Sequence, residues 1–221
     1  MARRRSALGK IVLGLAVLAV LSVLFLRTLR ETTSAPYHLP AAHLTGWELV
    51  LDPPLGPGGP LLALRPPREL PMALFQEVFA RTMESMNPPA GYAVSIILRS
   101  EFSDGLAGVV TPAELLELAR ETGLQNPAVE PRCMAVQQGL SGGPSDRAFF
   151  ALFDVPALGA FRESVGRLAG ERGGGTATFD PDALAPAVYL AATGGGFRGW
   201  PVAGAAAEQH CVAPLEVEPA S

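Results

Sequence analysis

The sequence predicts an α+β protein, with one N-terminal transmembrane helix followed by a ferredoxin-like (βαββαβ) sandwich that carries an extra N-terminal β-hairpin and helix. Three observations predict this fold class. A long apolar run lies near the N-terminus, apolar residues recur at helical spacing in later stretches, and β-rich runs alternate with those stretches. The chain has 221 residues, of which 48% are hydrophobic and 17% charged. It is therefore too apolar to be disordered and suits one sizeable folded domain.

Charge is unevenly distributed along the chain. All 21 acidic residues lie at or after Glu31, whereas six of the 17 basic residues precede it. From residue 31 onward there are 11 arginines and 21 carboxylates, which leaves a net charge of −10. A surface of this sign repels phosphate backbones, so the sequence argues against nucleic-acid binding.

The first predicted element is the apolar run from Leu8 to Leu26, in which Lys10 is the only charge. A helix of this length spans roughly 28 Å, close to the hydrocarbon thickness of a bilayer. Four basic residues lie at its N-terminal end and two follow it, which predicts a cytoplasmic N-terminus and an extracytoplasmic domain. The sequence thus predicts a single-pass protein of the plasma (inner) membrane, anchored in the lipid bilayer through residues 8–26 and periplasmic if the source is Gram-negative. A cleaved signal peptide is the alternative, but no Ala-x-Ala cleavage site follows the run.

Domain boundaries follow from these changes in composition. The predicted parts are a basic tail over 1–7, the transmembrane helix over 8–26, a linker over 27–45 and an α+β domain over 46–221. Within that domain we predict a hairpin plus helix over 46–90, a ferredoxin-like core over 91–193 and a C-terminal loop or tail over 194–221.

The hairpin and helix come next in the chain. The strand-like runs 47–51 and 61–65 flank a segment rich in proline and glycine, which predicts a hairpin with a long loop. A helix is predicted from Pro71 onward, and its Met and Phe stripe is interpreted as a core face, with a partner-binding surface as the alternative. The apolar residues at helical spacing are Leu74, Phe75, Val78, Phe79, Met83 and Met86.

The remaining order of elements is strand, helix, strand, strand, helix, strand, which is the ferredoxin-like arrangement. The first of these helices begins at a capping box of Thr111, Pro112 and Glu114, and the second follows Asp154. The four strands are predicted at 92–98, 133–136, 148–153 and 187–192.

Cys133 and Cys211 are the two cysteines of the chain, and both lie in the domain predicted to be exported. In an oxidising compartment such a pair favours a structural disulfide, and two buried reduced thiols are the alternative. Their spacing contains no CxxC or Cys-His cluster, so the sequence indicates no zinc site.

One motif resembles that of a serine hydrolase. Gly139-Leu-Ser141-Gly-Gly143 fits G-x-S-x-G, and acidic residues and then His210 follow it in the order of a catalytic triad. The motif requires a strand-to-helix elbow, whereas Ser141 is followed by more turn residues and another strand. The segment is therefore interpreted as a hairpin loop, with a nucleophilic Ser141 as the alternative.

A second glycine motif, Gly194-Gly-Gly196-Phe-Arg-Gly199, fits G-x-G-x-x-G. A dinucleotide site needs a helix directly after it, but Trp200-Pro201 follows, so no cofactor is predicted. Phe197, Arg198 and Trp200 are instead a candidate interaction surface, because aromatic and arginine side chains are enriched at binding hot spots.

The sequence contains no coherent catalytic set, and its three histidines have no metal-ligand spacing. The leading interpretation of function is therefore a membrane-anchored domain for protein interaction or assembly of an envelope complex, with an unidentified membrane or envelope protein as partner. An anchored serine hydrolase and a small-ligand sensor domain are the alternatives.

Overall fold

The structure of the protein is a computed structural model. It describes residues 17–22, 34–56, 58–139, 146–173, 179–194 and 204–218. The chain divides into two compact units, Met1–Ala35 and Pro36–Ser221.

In the first unit, residues 17–22 are helical, and their apolar side chains Val17, Leu18, Val20 and Leu21 are exposed. Within the described residues, no helix has the length and apolar character needed to cross a membrane. This finding contradicts the predicted transmembrane helix, the single-pass topology and the inner-membrane localisation. The other residues of the predicted 8–26 helix lie outside the described ranges.

Two sheets organise the described part of the second unit. The larger sheet has five strands in the spatial order β1 (Tyr37–Pro40), β8 (Cys211–Glu218), β5 (Glu130–Gln138), β6 (Arg147–Asp154) and β7 (Ala187–Ala192). The smaller sheet has three strands in the order β2 (Glu48–Leu51), β3 (Pro60–Arg65) and β4 (Val94–Leu98). The three longer helices are α1 (Glu69–Thr82), α2 (Pro112–Glu121) and α3 (Pro156–Gly173), and short helical turns lie at Ala41–Leu44, Arg99–Leu106 and Gly204–His210.

The ferredoxin-like arrangement is wrong, although the protein is α+β. In a ferredoxin-like fold β4 would share a sheet with β5, β6 and β7, but β4 pairs antiparallel with β3 of the hairpin. In that fold β4 would lie between β6 and β7, but β6 and β7 pair directly with each other. The free side of β5 is occupied by β8, through Cys133↔Pro214 and Met134↔Ala213. The physical reason is that residues 94–97 are buried on both faces of the strand. When apolar and polar residues do not alternate along a strand, its sequence does not indicate which sheet it joins.

Both ends of the second unit lie in the larger sheet. β1 pairs parallel to β8, with Tyr37 opposite Leu215 and Leu39 opposite Val217. Tyr37 and Leu39 are buried, so part of the segment that the sequence assigns to the linker belongs to the core. Likewise, the segment predicted as a C-terminal loop or tail contains a strand of eight residues.

The capping box at the start of α2 is present. The Thr111 hydroxyl accepts a hydrogen bond from the Glu114 backbone N–H at 3.2 Å, and the Thr111 N–H donates to the Glu114 carboxylate at 2.8 Å. The Glu114 carboxylate also pairs with Arg172 near the end of α3, at 2.8 Å. Two contacts lower the pKa of Glu114 to about 2. The hydrogen bond from the Thr111 backbone has the larger effect, and the contact with Arg172 adds to it.

This lowered pKa predicts an acid-dependent stability. Because the pKa of Glu114 falls below its ordinary value of 4.5 on folding, its contribution to stability is present above pH 4.5 and is lost as the pH falls toward 2. We expect Glu114→Gln to be less stable than the wild type at pH 6 and nearly equal to it near pH 2, measured by urea unfolding at each pH. Glu121→Gln in the same helix is the control for the loss of one exposed carboxylate. A stability difference that does not change with pH would contradict the prediction.

Candidate functional site

The predicted interaction surface of Phe197, Arg198 and Trp200 lies outside the described residues, and so does Ser141 of the hydrolase motif. His210 ends a short helical turn, and its ring lies edge-on to the Phe150 ring with the centroids 6.4 Å apart.

An acidic residue of the hydrolase motif has a structural contact. The Asp180 carboxylate accepts a hydrogen bond from the Asp182 backbone N–H at 2.9 Å, which is the geometry of an Asx turn.

Cys133 on β5 and Cys211 on β8 form a disulfide, with their Cα atoms 5.7 Å apart. Cys133 is buried and Cys211 is exposed. The bond lies beside the Met134↔Ala213 pair of the same two strands, so it holds β8 against the sheet.

A cleft of about 450 Å³ lies beside the first turn of α3. Asp154, Asp182 and an ion pair between Arg132 and Glu208 lie along its walls, and Arg162 lies at its inner end. Among the described residues, no group of three or more His, Cys, Asp or Glu side chains is placed to hold a metal ion. The cleft would serve as a binding site only if a polar group inside it were free to meet a ligand.

Arg162 is the obvious candidate for such a group, but its donors are used within the protein. Its Nε donates to Pro181 O at 2.7 Å, and its two terminal nitrogens donate to Ile96 O at 2.7 Å, to Asp180 O at 2.6 Å and to the Glu101 carboxylate at 2.7 and 3.3 Å. A guanidinium has five N–H donors, and these five acceptors satisfy them all. Arg162 therefore joins three parts of the fold and has no free donor for a ligand.

The outward face of α1 differs from the other helices. The exposed residues between 70 and 83, a range that is described throughout, are Met72, Gln76, Phe79, Ala80 and Met83, and none is charged. Met72 is 43% exposed, Phe79 45% and Met83 76%. A surface helix ordinarily carries its charged residues on this side. We call Met72, Gln76, Phe79 and Met83 the α1 seam.

The other two helices follow the ordinary pattern. The exposed residues of α2 include Glu114, Glu117 and Arg120, and those of α3 include Glu163 and Arg167. In α1 the exposed residues after Glu69, which is itself exposed and charged at the first position of the helix, carry no charge.

The α1 seam has regular spacing. Its residues are separated by four, three and four positions, which is the spacing of successive core positions in a heptad repeat. Buried residues Leu70, Leu74 and Val78 lie on the opposite side of the helix and fix it against the core. The helical spacing of Leu74, Val78, Phe79 and Met83 predicts a single apolar face. At about 100° per residue those positions cover too wide an arc for one face, and that width was the available signal of two apolar faces.

Met83 has an unusual backbone conformation. It follows the last helical residue, with φ +53° and ψ +27°, and its N–H donates to Phe79 O at 2.8 Å. Glycine is the usual residue at a left-handed helix end, because a Cβ atom is disfavoured there. A large apolar side chain at a strained and 76% exposed position is the kind of outlier that marks functional surfaces.

Met83→Gly is therefore expected to make the protein more stable. Relief of the left-handed strain should raise the free energy of unfolding by about 0.5–1 kcal/mol, and the melting temperature by about 2–4 °C, in thermal unfolding followed by circular dichroism. Met72→Gly is the matched control, since the same glycine inside α1 should cost about 1 kcal/mol. Equal losses in the two variants would contradict the assignment of strain to Met83.

Comparisons of the chain with protein-family models, with curated proteins and with solved structures give no match.

Proposed function

We propose that the chain acts by binding another protein through the α1 seam, and not by catalysing a reaction. The observation that carries the proposal is a group of three exposed apolar side chains on α1, in a stretch from residue 70 to 83 whose exposed residues carry no charge. Apolar side chains grouped in this way favour a contact that removes them from water. The partner is a helix whose apolar side chains have the same heptad spacing.

The chemistry of the seam supports this function. Phe79 supplies the aromatic surface that is common at binding hot spots. Met72 and Met83 have flexible, polarizable side chains, which adapt to the shape of an apolar partner. Leu74 and Val78 are fully buried, so the helix is already ordered and pays little conformational entropy on binding.

Site-specific photo-crosslinking from the seam tests the proposal. A photoreactive amino acid replaces Gln76 in the full chain, in the cells that produce it, and a second sample carries the same group in place of Glu117 on α2. We expect one discrete adduct from position 76 that is absent from position 117. The adduct should disappear when Phe79→Glu is added, because a carboxylate cannot enter an apolar contact without a large desolvation cost.

Two results would overturn the proposal. The first is the same set of adducts from positions 76 and 117, which would show that the seam has no preferred partner. The second is a discrete adduct that survives Phe79→Glu, which would place the contact elsewhere on the surface.

A further inference from the structure

We infer that the partner of the α1 seam is the same seam on a second copy of this chain, packed antiparallel across a two-fold axis. The inference rests on the proposed function and names its partner.

The first reason is that the seam is complementary to itself. When two copies of α1 run antiparallel, Met72 lies opposite Met83 of the second copy and Gln76 lies opposite its Phe79. A two-fold axis repeats each of these pairs once, so the whole seam is covered with none of its residues left over. In helix pairs with a heptad repeat, residues at the spacing of the α1 seam are the ones that pack against the partner helix.

The second reason is charge. From residue 31 onward each copy carries a net charge of −10, so two copies repel each other over most of their surfaces. The exposed face of α1 between residues 70 and 83 carries no charge, so two such copies approach there at a low electrostatic cost, with Glu69 at the edge of the contact. Added salt screens the remaining repulsion, so it should strengthen this association, whereas it would weaken the binding of a basic partner.

The size of the seam sets the expected strength of this dimer. Its exposed apolar side chains provide on the order of 300 Å² on each copy. Together the two copies bury less than the ~1,200 Å² of a standard stable interface. The expected dimer is therefore weak and depends on protein concentration, with a dissociation constant in the micromolar range or above.

Sedimentation of the purified full chain over a range of concentrations tests the inference. We expect a monomer–dimer equilibrium that shifts toward the dimer as salt is raised. Phe79→Glu and Phe79→Lys should each raise the dissociation constant at least tenfold, and an equimolar mixture of the two should recover association, since the opposite charges meet across the two-fold axis. Glu117→Lys on α2 is the control and should leave the equilibrium unchanged.

Met83→Gly gives an independent readout. The inference predicts that this variant is more stable than the wild type and yet dimerises several-fold more weakly, because it loses the side chain opposite Met72 of the second copy. A residue with only a structural role would not move stability and association in opposite directions.

Thiol-specific crosslinking with a short bismaleimide tests the orientation. The native cysteines are joined in a disulfide and do not react. We expect Met72→Cys chains to crosslink to Met83→Cys chains and not to each other, because two copies of position 72 would lie about 16 Å apart in the antiparallel pair. Crosslinks of each variant to itself would overturn the antiparallel arrangement.

The outcomes separate this inference from the proposed function. A chain that stays monomeric at high concentration, or a dimer unaffected by Phe79→Glu, overturns the second copy as partner. If the photo-crosslinked adduct from position 76 then has a mass other than twice that of the chain, the protein-binding function stands with a different partner. If position 76 gives no discrete adduct either, both are overturned.

Discussion

Arg162→Ala is expected to lower the free energy of unfolding by about 3–5 kcal/mol, because it leaves the largely buried carboxylate of Glu101 without its cationic partner. Arg162 is 1% exposed, and the side chain of Glu101 is 16% exposed. The substitution also removes the donors for three backbone carbonyls, those of Ile96, Asp180 and Pro181. Buried carbonyls without donors add their own desolvation cost. Urea unfolding followed by circular dichroism measures the loss.

Two further variants make the test specific. Arg162→Lys keeps the charge, but an ammonium has three donors instead of five and cannot reach all the acceptors, so we expect an intermediate loss. Arg167→Ala, at an exposed position of the same helix, should change stability by no more than about 0.5 kcal/mol. A loss below about 1 kcal/mol in Arg162→Ala would show that the network contributes little.

Removing both charges separates the ion pair from the carbonyl contacts. Arg162→Met combined with Glu101→Leu leaves no unpaired buried charge, so the double variant should be more stable than Arg162→Ala. It should still be less stable than the wild type, because Glu101 also accepts the Leu98 N–H at 2.8 Å and that donor loses its partner. Arg162→Met alone is the matched single variant, and its stability difference from the double variant measures the cost of the unpaired Glu101 carboxylate less that of the lost Leu98 hydrogen bond.

The Arg162 network shows which features the sequence could predict. Arg162 lies between Leu158 and Val165 at helical spacing, so its position on the buried side of α3 was available from the sequence. The partners of Arg162 could not be predicted from the sequence, because the acceptors come from β4, the following turn and the loop after residue 179. Contacts between segments so distant in the chain depend on how the sheets are arranged.

The strand pairings also divide into those between segments close in the sequence, which could be predicted, and those between distant segments, which could not. The β5–β6 hairpin was predicted from two runs close in sequence, and its register pairs Ala135 with Phe150. β8 was missed because only Ala213 and Leu215 are buried in it and Pro214 interrupts the pattern. Proline cannot donate a ladder hydrogen bond, and it ordinarily argues against a central strand. With β8 assigned to a tail and β4 counted among the four strands of a ferredoxin-like sheet, neither the β5–β8 pair nor the β3–β4 pair was predicted.

The seam on α1 was missed for a different reason. The sequence showed the Met and Phe residues, and the interpretation assigned them to the core because apolar residues at helical spacing usually pack inward. Phe79 and Met83 point away from the buried Leu74 and Val78. The core is therefore filled by one apolar face of α1, and the second apolar face is left for a contact outside the folded unit.

Loss of the disulfide is expected to have the second large effect on stability. The bond closes a loop of 78 residues, so Cys133→Ala with Cys211→Ala should lower the free energy of unfolding by about 4.5 kcal/mol in the chain-entropy treatment. Reduction of the wild-type bond by a dithiol should give a similar loss and serves as the control for the substituted side chains. Urea unfolding measures both, and a double variant as stable as the wild type would contradict the bond's structural role.

The position of the bond also predicts where the fold loosens. β8 is held by the disulfide and by its pairing with β5, and the pairing partner of β1 in the sheet is β8. In the double cysteine variant, amide hydrogen exchange should therefore increase most in β8 and β1. The β6–β7 pair should change less, because its five paired positions do not depend on β8. An equal increase in all strands would instead mean that the sheet opens as one cooperative unit, with β8 no weaker than the strands at its centre.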